Sequence, residues 1–193
     1  CALPFLGRAS LPASQTQCSS PVARCDAALL CFVAGWVFAN SVLSWQMNVE
    51  DEFAATDSFG HAVRFVAPVV LLALGTGTGS YLKLEWLLRI AIASTFIGHG
   101  LAAYWLKPGF VDLIVGTMDT FFGDDWRLAG QRESFALVML SWIGRLDFLL
   151  AALILIPFKR LRTVALWMAI WGFVTAVSRV TAFGWERWPD FLI

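Results

Sequence analysis

Five stretches of this chain, at 27–47, 62–82, 85–106, 135–157 and 161–183, are strongly apolar and carry at most two charged residues each. Nothing else in the sequence narrows the available folds as far. A helix needs ~20 mainly apolar residues to cross the hydrocarbon core of a bilayer. Only helices and closed barrels satisfy their backbone polar groups there. Uninterrupted apolar runs of this length predict helices rather than strands. The composition agrees, with 59% hydrophobic and 15% charged residues and a mean hydropathy of +0.70. A soluble domain is about a quarter charged, so this chain has too little polar surface to cover a globule in water. The expected fold is all-α: a polytopic transmembrane helix bundle of about five spanning helices.

The segments between the helices divide the chain further. Residues 1–26 are rich in Ser, Pro and Cys and read as a polar N-terminal arm, 27–183 as the transmembrane domain, and 184–193 as a C-terminal tail. The 62–82 helix is the weakest, because it holds Pro68 and the run from Gly75 to Gly79. That run lacks the Lys-Ser/Thr ending of a phosphate loop, so helix packing or a loosened helix end is expected. Residues 108–126 are too short and too acidic to span. Phe110, Leu113, Ile114, Thr117 and Phe121 recur there at helical spacing, which predicts a helix lying in the membrane interface.

Basic residues in short loops set the orientation. Lys159, Arg160 and Arg162 make the link between the fourth and fifth helices the cytoplasmic one. Alternation then puts the N-terminus, Lys83 and Arg89 on that side. The acidic 48–61 and 107–134 segments and the C-terminus fall opposite. Cys1 is the residue type lipidated in mature bacterial lipoproteins, but on the cytoplasmic side no such anchor is expected. A Cys18–Cys25 disulfide requires an oxidising compartment.

Lys and Arg number 14, as do Asp and Glu, and the balance argues against nucleic acid as a partner. The expected partners are the lipid bilayer and other membrane subunits. No Ser-His-Asp set, catalytic carboxylate pair or zinc spacing is visible. The acids Asp119, Asp124 and Asp125 read as a solvated edge rather than a cation site.

Ionisable groups inside a span are costly, at ~2.5–3.5 kcal/mol on insertion scales, and mark candidate sites. His99, Arg145, Asp147 and Arg179 fall between mid-depth and the outer ends of the third, fourth and fifth helices. They meet if those helices pack together. Arg145 and Asp147 stand about 200° apart on an ideal helix, so each requires a partner elsewhere. A ligand site and a polar clamp such as Asp147 with Arg179 are weighed evenly. His99 is flanked by Gly98 and Gly100, which permit close approach of a neighbouring helix or a ring. Close packing is the favoured reading over a metal centre. His61 is expected at the outer surface, offset in depth from His99, which disfavours a haem held by both.

Two segments carry a family likeness. One is 88–101, Leu-Arg-Ile-Ala-Ile-Ala-Ser-Thr-Phe-Ile-Gly-His-Gly-Leu. The other is 144–150, Gly-Arg-Leu-Asp-Phe-Leu-Leu, followed by the basic turn from Lys159 to Arg162. Over roughly residues 85–183 the chain resembles the DoxX-like (DoxD-like) family of small integral membrane proteins, with Asp147 where the family more often has Glu. The resemblance implies a compact helical bundle, and some members are membrane subunits associated with quinone-linked oxidoreductases. The leading expectation is a non-catalytic accessory subunit of a redox or energy-transducing complex, contributing a quinone or lipid pocket near His99, Arg145, Asp147 and Arg179. The alternatives are a small carrier of a lipid or apolar metabolite, and a pigment-binding scaffold with His99 as axial ligand.

Overall fold

The structure, a computed structural model, describes residues 21–48, 50, 51, 53–123, 126, 128–157 and 161–187. Most of the N-terminal arm, with Cys18, lies outside the described residues. So do Asp124, Asp125, Lys159, Arg160 and the end of the C-terminal tail. Seven α-helices follow in order: α1 (Pro21–Met47), α2 (Ala54–Gly60), α3 (Ala62–Thr76), α4 (Tyr81–Tyr104), α5 (Pro108–Phe122), α6 (Ala129–Leu155) and α7 (Leu161–Phe183). A 3₁₀ turn, Trp185–Arg187, closes the described chain, which among these residues contains no strand.

Five segments are long and apolar enough to cross a membrane: Asp26–Met47, Ala54–Thr76, Tyr81–Tyr104, Gly130–Leu155 and Leu161–Phe183. The chain is therefore an all-α, multi-pass integral membrane protein. The second span differs most from the sequence expectation. It starts at Ala54 rather than Ala62, as α2 and α3 with a break at His61. It ends at Thr76 rather than Leu82, where Gly77 takes φ +68° and Gly79 φ +88°. Left-handed backbone costs glycine nothing, so the glycine run stops α3 and turns the chain. Gly75 and Gly77 have nothing packed against them, so the run is a helix end and not a packing motif. Ser80 then caps α4, accepting from the backbone N–H of Lys83.

Helix α4 is the centre of the bundle, and its glycines explain how. A Cβ on Gly98 would lie 2.6 Å from the backbone nitrogen of Gly60 and 2.7 Å from the carbonyl oxygen of Thr56, both on α2. A Cβ on Gly100 would lie 3.2 Å from the carbonyl oxygen of Gly144 on α6. Gly144 meets Gly100 in return, at 3.0 Å. Helices in lipid gain little from the hydrophobic effect and associate through such close backbone approach. Further along α4, Ala93 packs with Leu150, Ala151 and Ile154 of α6 and Met168 of α7 in the buried core.

Helix α5, at 15 residues, is shorter than a span and packs on α7 and α6. Gly116 lies against Ala182, Thr117 donates to the Ser178 carbonyl at 3.2 Å, and Thr120 donates to that of Thr181 at 2.6 Å. At its far end Asp119 accepts from the Trp126 indole at 2.7 Å and from Arg132 at 3.0 Å. These donors, the indole first, hold the Asp119 carboxyl below the usual carboxylate range. Lys107, just before α5, donates to both carboxylate oxygens of Asp57 on α2, at 2.7 and 2.8 Å. The 48–61 and 107–134 segments therefore lie at one end of the bundle. Helices α1 and α7 are hardly buried, and expose Phe32, Trp36, Trp167 and Phe173 among other large apolar side chains.

Candidate functional site

The Gly98-His99-Gly100 triplet builds the site. With one glycine pressed on α2 and the other on α6, α4 is gripped on two sides and His99 is fixed between them. A Cβ on Gly60 would stand 3.5 Å from the His99 ring, and the Phe110 ring of α5 lies 6.2 Å away, centroid to centroid. His61, Arg64 and Arg179 all lie within Coulombic reach of His99. The four side chains come from the α2–α3 break, α3, α4 and α7, and form one polar layer near the end capped by α5.

His61 is the residue the sequence misplaces. Instead of lying offset at the outer surface, it is half-buried at the helix break and shares a layer with His99. Among the described residues its Nδ1 is buried without a hydrogen-bond partner. Arg64 is half-buried too, and the charge nearest to it in effect is that of Arg179, of like sign. Arg64 was open to detection, since it is an ionisable residue inside a predicted span and meets the same criterion as Arg145. What hid His61 was the acidic 48–61 segment, which reads as a loop until α2 is seen to pack on α4.

The four residues singled out from sequence divide three ways. His99 and Arg179 join the polar layer. Asp147 lies at the level of Gly100 but on another face of α4, with its Cβ 3.3 Å from where a Gly100 Cβ would be. It is 4% exposed and accepts from the Trp171 indole N–H at 3.1 Å. The clamp the sequence suggests is thus present, with Trp171 of α7 standing where Arg179 was expected. Arg145 is exposed, with its guanidinium 5.0 Å from the centre of the Trp142 ring, also exposed. The helical offset of Arg145 from Asp147 points it out of the bundle, away from the other three.

A second feature borders the layer. A groove of about 330 Å³ runs between α1, the α2–α3 span and α4, walled by Phe38, Trp45, Phe59 and Phe65. Three hydroxyls, of Ser41, Ser58 and Ser94, are its polar lining. His61 sits between two of its lining residues, Phe59 and Ala62, so groove and polar layer adjoin at the helix break.

Fold and site together define a class: a small helical membrane protein with a polar layer set into an apolar bundle. No family model, curated protein or solved structure matches the chain.

Proposed function

We propose that this chain is a non-catalytic accessory subunit of a larger redox or energy-transducing membrane complex, and that its polar layer contributes a quinone or lipid pocket. The observation that carries this is the convergence of His61, Arg64, His99 and Arg179 beside an apolar groove. Hydrogen-bonding and cationic groups beside apolar walls suit the head and tail of an amphiphile. The DoxX-like resemblance favours quinone-linked chemistry in a partner. The large apolar surfaces of α1 and α7 offer room for lipid and for other subunits. The proposed orientation has the N-terminus on the cytoplasmic side and the C-terminus opposite, with the polar layer in the outer half. It rests on the loop charges, and the Lys107–Asp57 pair supports it by joining two acidic segments at one end.

A second reading has one observation in its favour. Two imidazoles in one layer suit a pigment or porphyrin ligated by His99 better than the sequence alone suggests. An absorption spectrum of the purified protein separates the two readings.

The test of the main reading is purification of the full chain from its native membrane in mild detergent. Partner subunits and an extractable quinone or lipid are expected to accompany it, and His99→Ala is expected to reduce the bound ligand. Unchanged ligand, quinone turnover and complex assembly in both His99→Ala and His61→Ala would overturn it.

A further inference from the structure

Helices α1 and α4 both pack on the α2–α3 span, and the apolar groove runs between them. Phe38, Trp45, Phe59 and Ile90 on its walls are all exposed, so it opens sideways to the bilayer. The lining runs from Phe38 to Trp45 on α1 and from Leu87 to Ser94 on α4, about 10 Å of helix in each case. Over that length 330 Å³ leaves room for one chain or one flat ring. A helix, about 10–12 Å across, does not fit inside it.

Polarity narrows the occupant further. Among the described residues no charged side chain lines the groove. A charge at that depth is costly without a partner, so the occupant is uncharged. The hydroxyls of Ser41, Ser58 and Ser94 lie toward the end capped by α5, while Phe38, Val66 and Leu87 line the other end. Two of these hydroxyls are engaged within the protein. Ser41 donates to the Val37 carbonyl at 2.9 Å, and Ser58 to that of Ser41 at 3.2 Å. Ser94 makes no hydrogen bond among the described residues. Helix hydroxyls elsewhere in the bundle turn back on their own helix. Thr95 donates to the Ala91 carbonyl and Ser141 to that of Leu137, both at 3.1 Å. Ser94 thus keeps a free donor on the groove wall.

The depth of that donor decides between ligands. Ser94 stands ten residues before the α4 end at Tyr104, about 15 Å from it and near mid-span. The hydrocarbon core is about 30 Å thick, so the ester carbonyls of a phospholipid stay about 15 Å away at its edge. An acyl chain in the groove brings no acceptor to Ser94, whereas a carbonyl on an uncharged ring does. We propose that the groove binds an uncharged ring that carries a carbonyl and an apolar tail, the chemistry of a quinone, with the Ser94 hydroxyl donating to the carbonyl. The inference rests on reading the chain as holding a quinone or lipid, and specifies which of the two and where its ring lies. Trp45 and Phe59, at the same end as the hydroxyls, offer aromatic faces to the ring. The apolar far end receives the start of the tail.

The test uses the full chain, delipidated in an uncharged detergent and immobilised. Radiolabelled decyl-benzoquinone, decylbenzene and phosphatidylcholine are bound separately, decylbenzene being the ring and tail without the carbonyls. The quinone is expected to bind about fivefold more tightly than decylbenzene. Ser94→Ala is expected to remove that margin and leave decylbenzene unchanged, and Ser94→Thr to keep most of it. Val42→Phe fills the groove from α1 and is expected to weaken both ring probes about tenfold. A margin unchanged in Ser94→Ala, or phosphatidylcholine held as tightly as the quinone, overturns the inference. Quinone binding lost in His99→Ala but untouched by Ser94→Ala and Val42→Phe overturns it too, and leaves the polar-layer pocket standing. The opposite pattern supports the groove and takes the ligand away from the polar layer. Binding of no probe removes both readings.

Discussion

Two polar groups lie at the same level of the bundle on different faces of α4, and the chain treats them differently. Asp147 is almost wholly enclosed, seated against Gly100 and hydrogen-bonded by Trp171. His61 and Arg64 are half-buried, and among the described residues the one keeps a buried nitrogen with no hydrogen-bond partner while the other has no ion pair. Both are ionisable residues within spans, and residue type alone does not separate them. The difference lies in whether the protein itself completes the hydrogen bonds. Where it does, the group holds helices together. Where it does not, the group is left open to the proposed ligand.

The packing that creates both faces is the place to break the comparison hardest. Gly98→Ala would drive a Cβ into the α2 backbone, whose atoms cannot swing aside as a side chain can. A loss of about 2–3 kcal/mol is expected, read as unfolding by denaturant in detergent micelles. Gly100→Ala meets contacts a few tenths of an ångström longer and is expected to cost about 1–2 kcal/mol in the same assay.

The Asp147 face responds to chemistry rather than to volume. Trp171→Phe removes the indole donor and is expected to destabilise by about 1–3 kcal/mol, because the carboxyl stays buried without its partner. Asp147→Asn keeps an acceptor for the indole and is expected to stay within about 1 kcal/mol of the parent. A large loss of bound ligand in Asp147→Asn, with stability kept, would move Asp147 from the structural face to the binding face.

At the capped end, Lys107→Ala breaks the pair with Asp57. The carboxylate is 45% exposed, so solvent screens the pair, and the expected loss is about 0–1 kcal/mol, shrinking further in high salt. The smallest effect belongs to Arg145→Gln. Its side chain lies outside both faces, so stability within about 0.5 kcal/mol of the parent and unchanged ligand retention are expected.

Much of this arrangement is visible in the amino-acid order, for physical reasons. Span length follows from bilayer thickness, so five long apolar runs became five spans. The glycines around His99 signalled close approach, and the 200° offset of Arg145 from Asp147 told that they could not pair with each other. Pairing across helices was harder to read. Trp171 reaches Asp147 because α6 and α7 pack at that register, and no local pattern records a register between helices. His61 was misplaced because α2 is short and carries Asp57. The segment just ahead of it, Thr56, Phe59 and Gly60, is held by Gly98 of α4, a contact between segments some forty residues apart. Arg64 was visible as a charge in a span, but that its side chain has no ion pair among the described residues is a property of the folded chain alone.

On the proposed function the His61–Arg64–His99 face binds a ligand and the Asp147–Trp171 face holds the bundle. Ligand-dependent melting of the purified chain separates the two faces, comparing His61→Leu with Trp171→Phe in the presence and absence of the quinone or lipid extracted with the chain from its native membrane. Trp171→Phe is expected to melt lower than the parent yet keep the full upward shift on adding that ligand, while His61→Leu is expected to melt near the parent without it and to lose most of the shift. The reverse pattern, with the shift lost in Trp171→Phe and intact in His61→Leu, would contradict it.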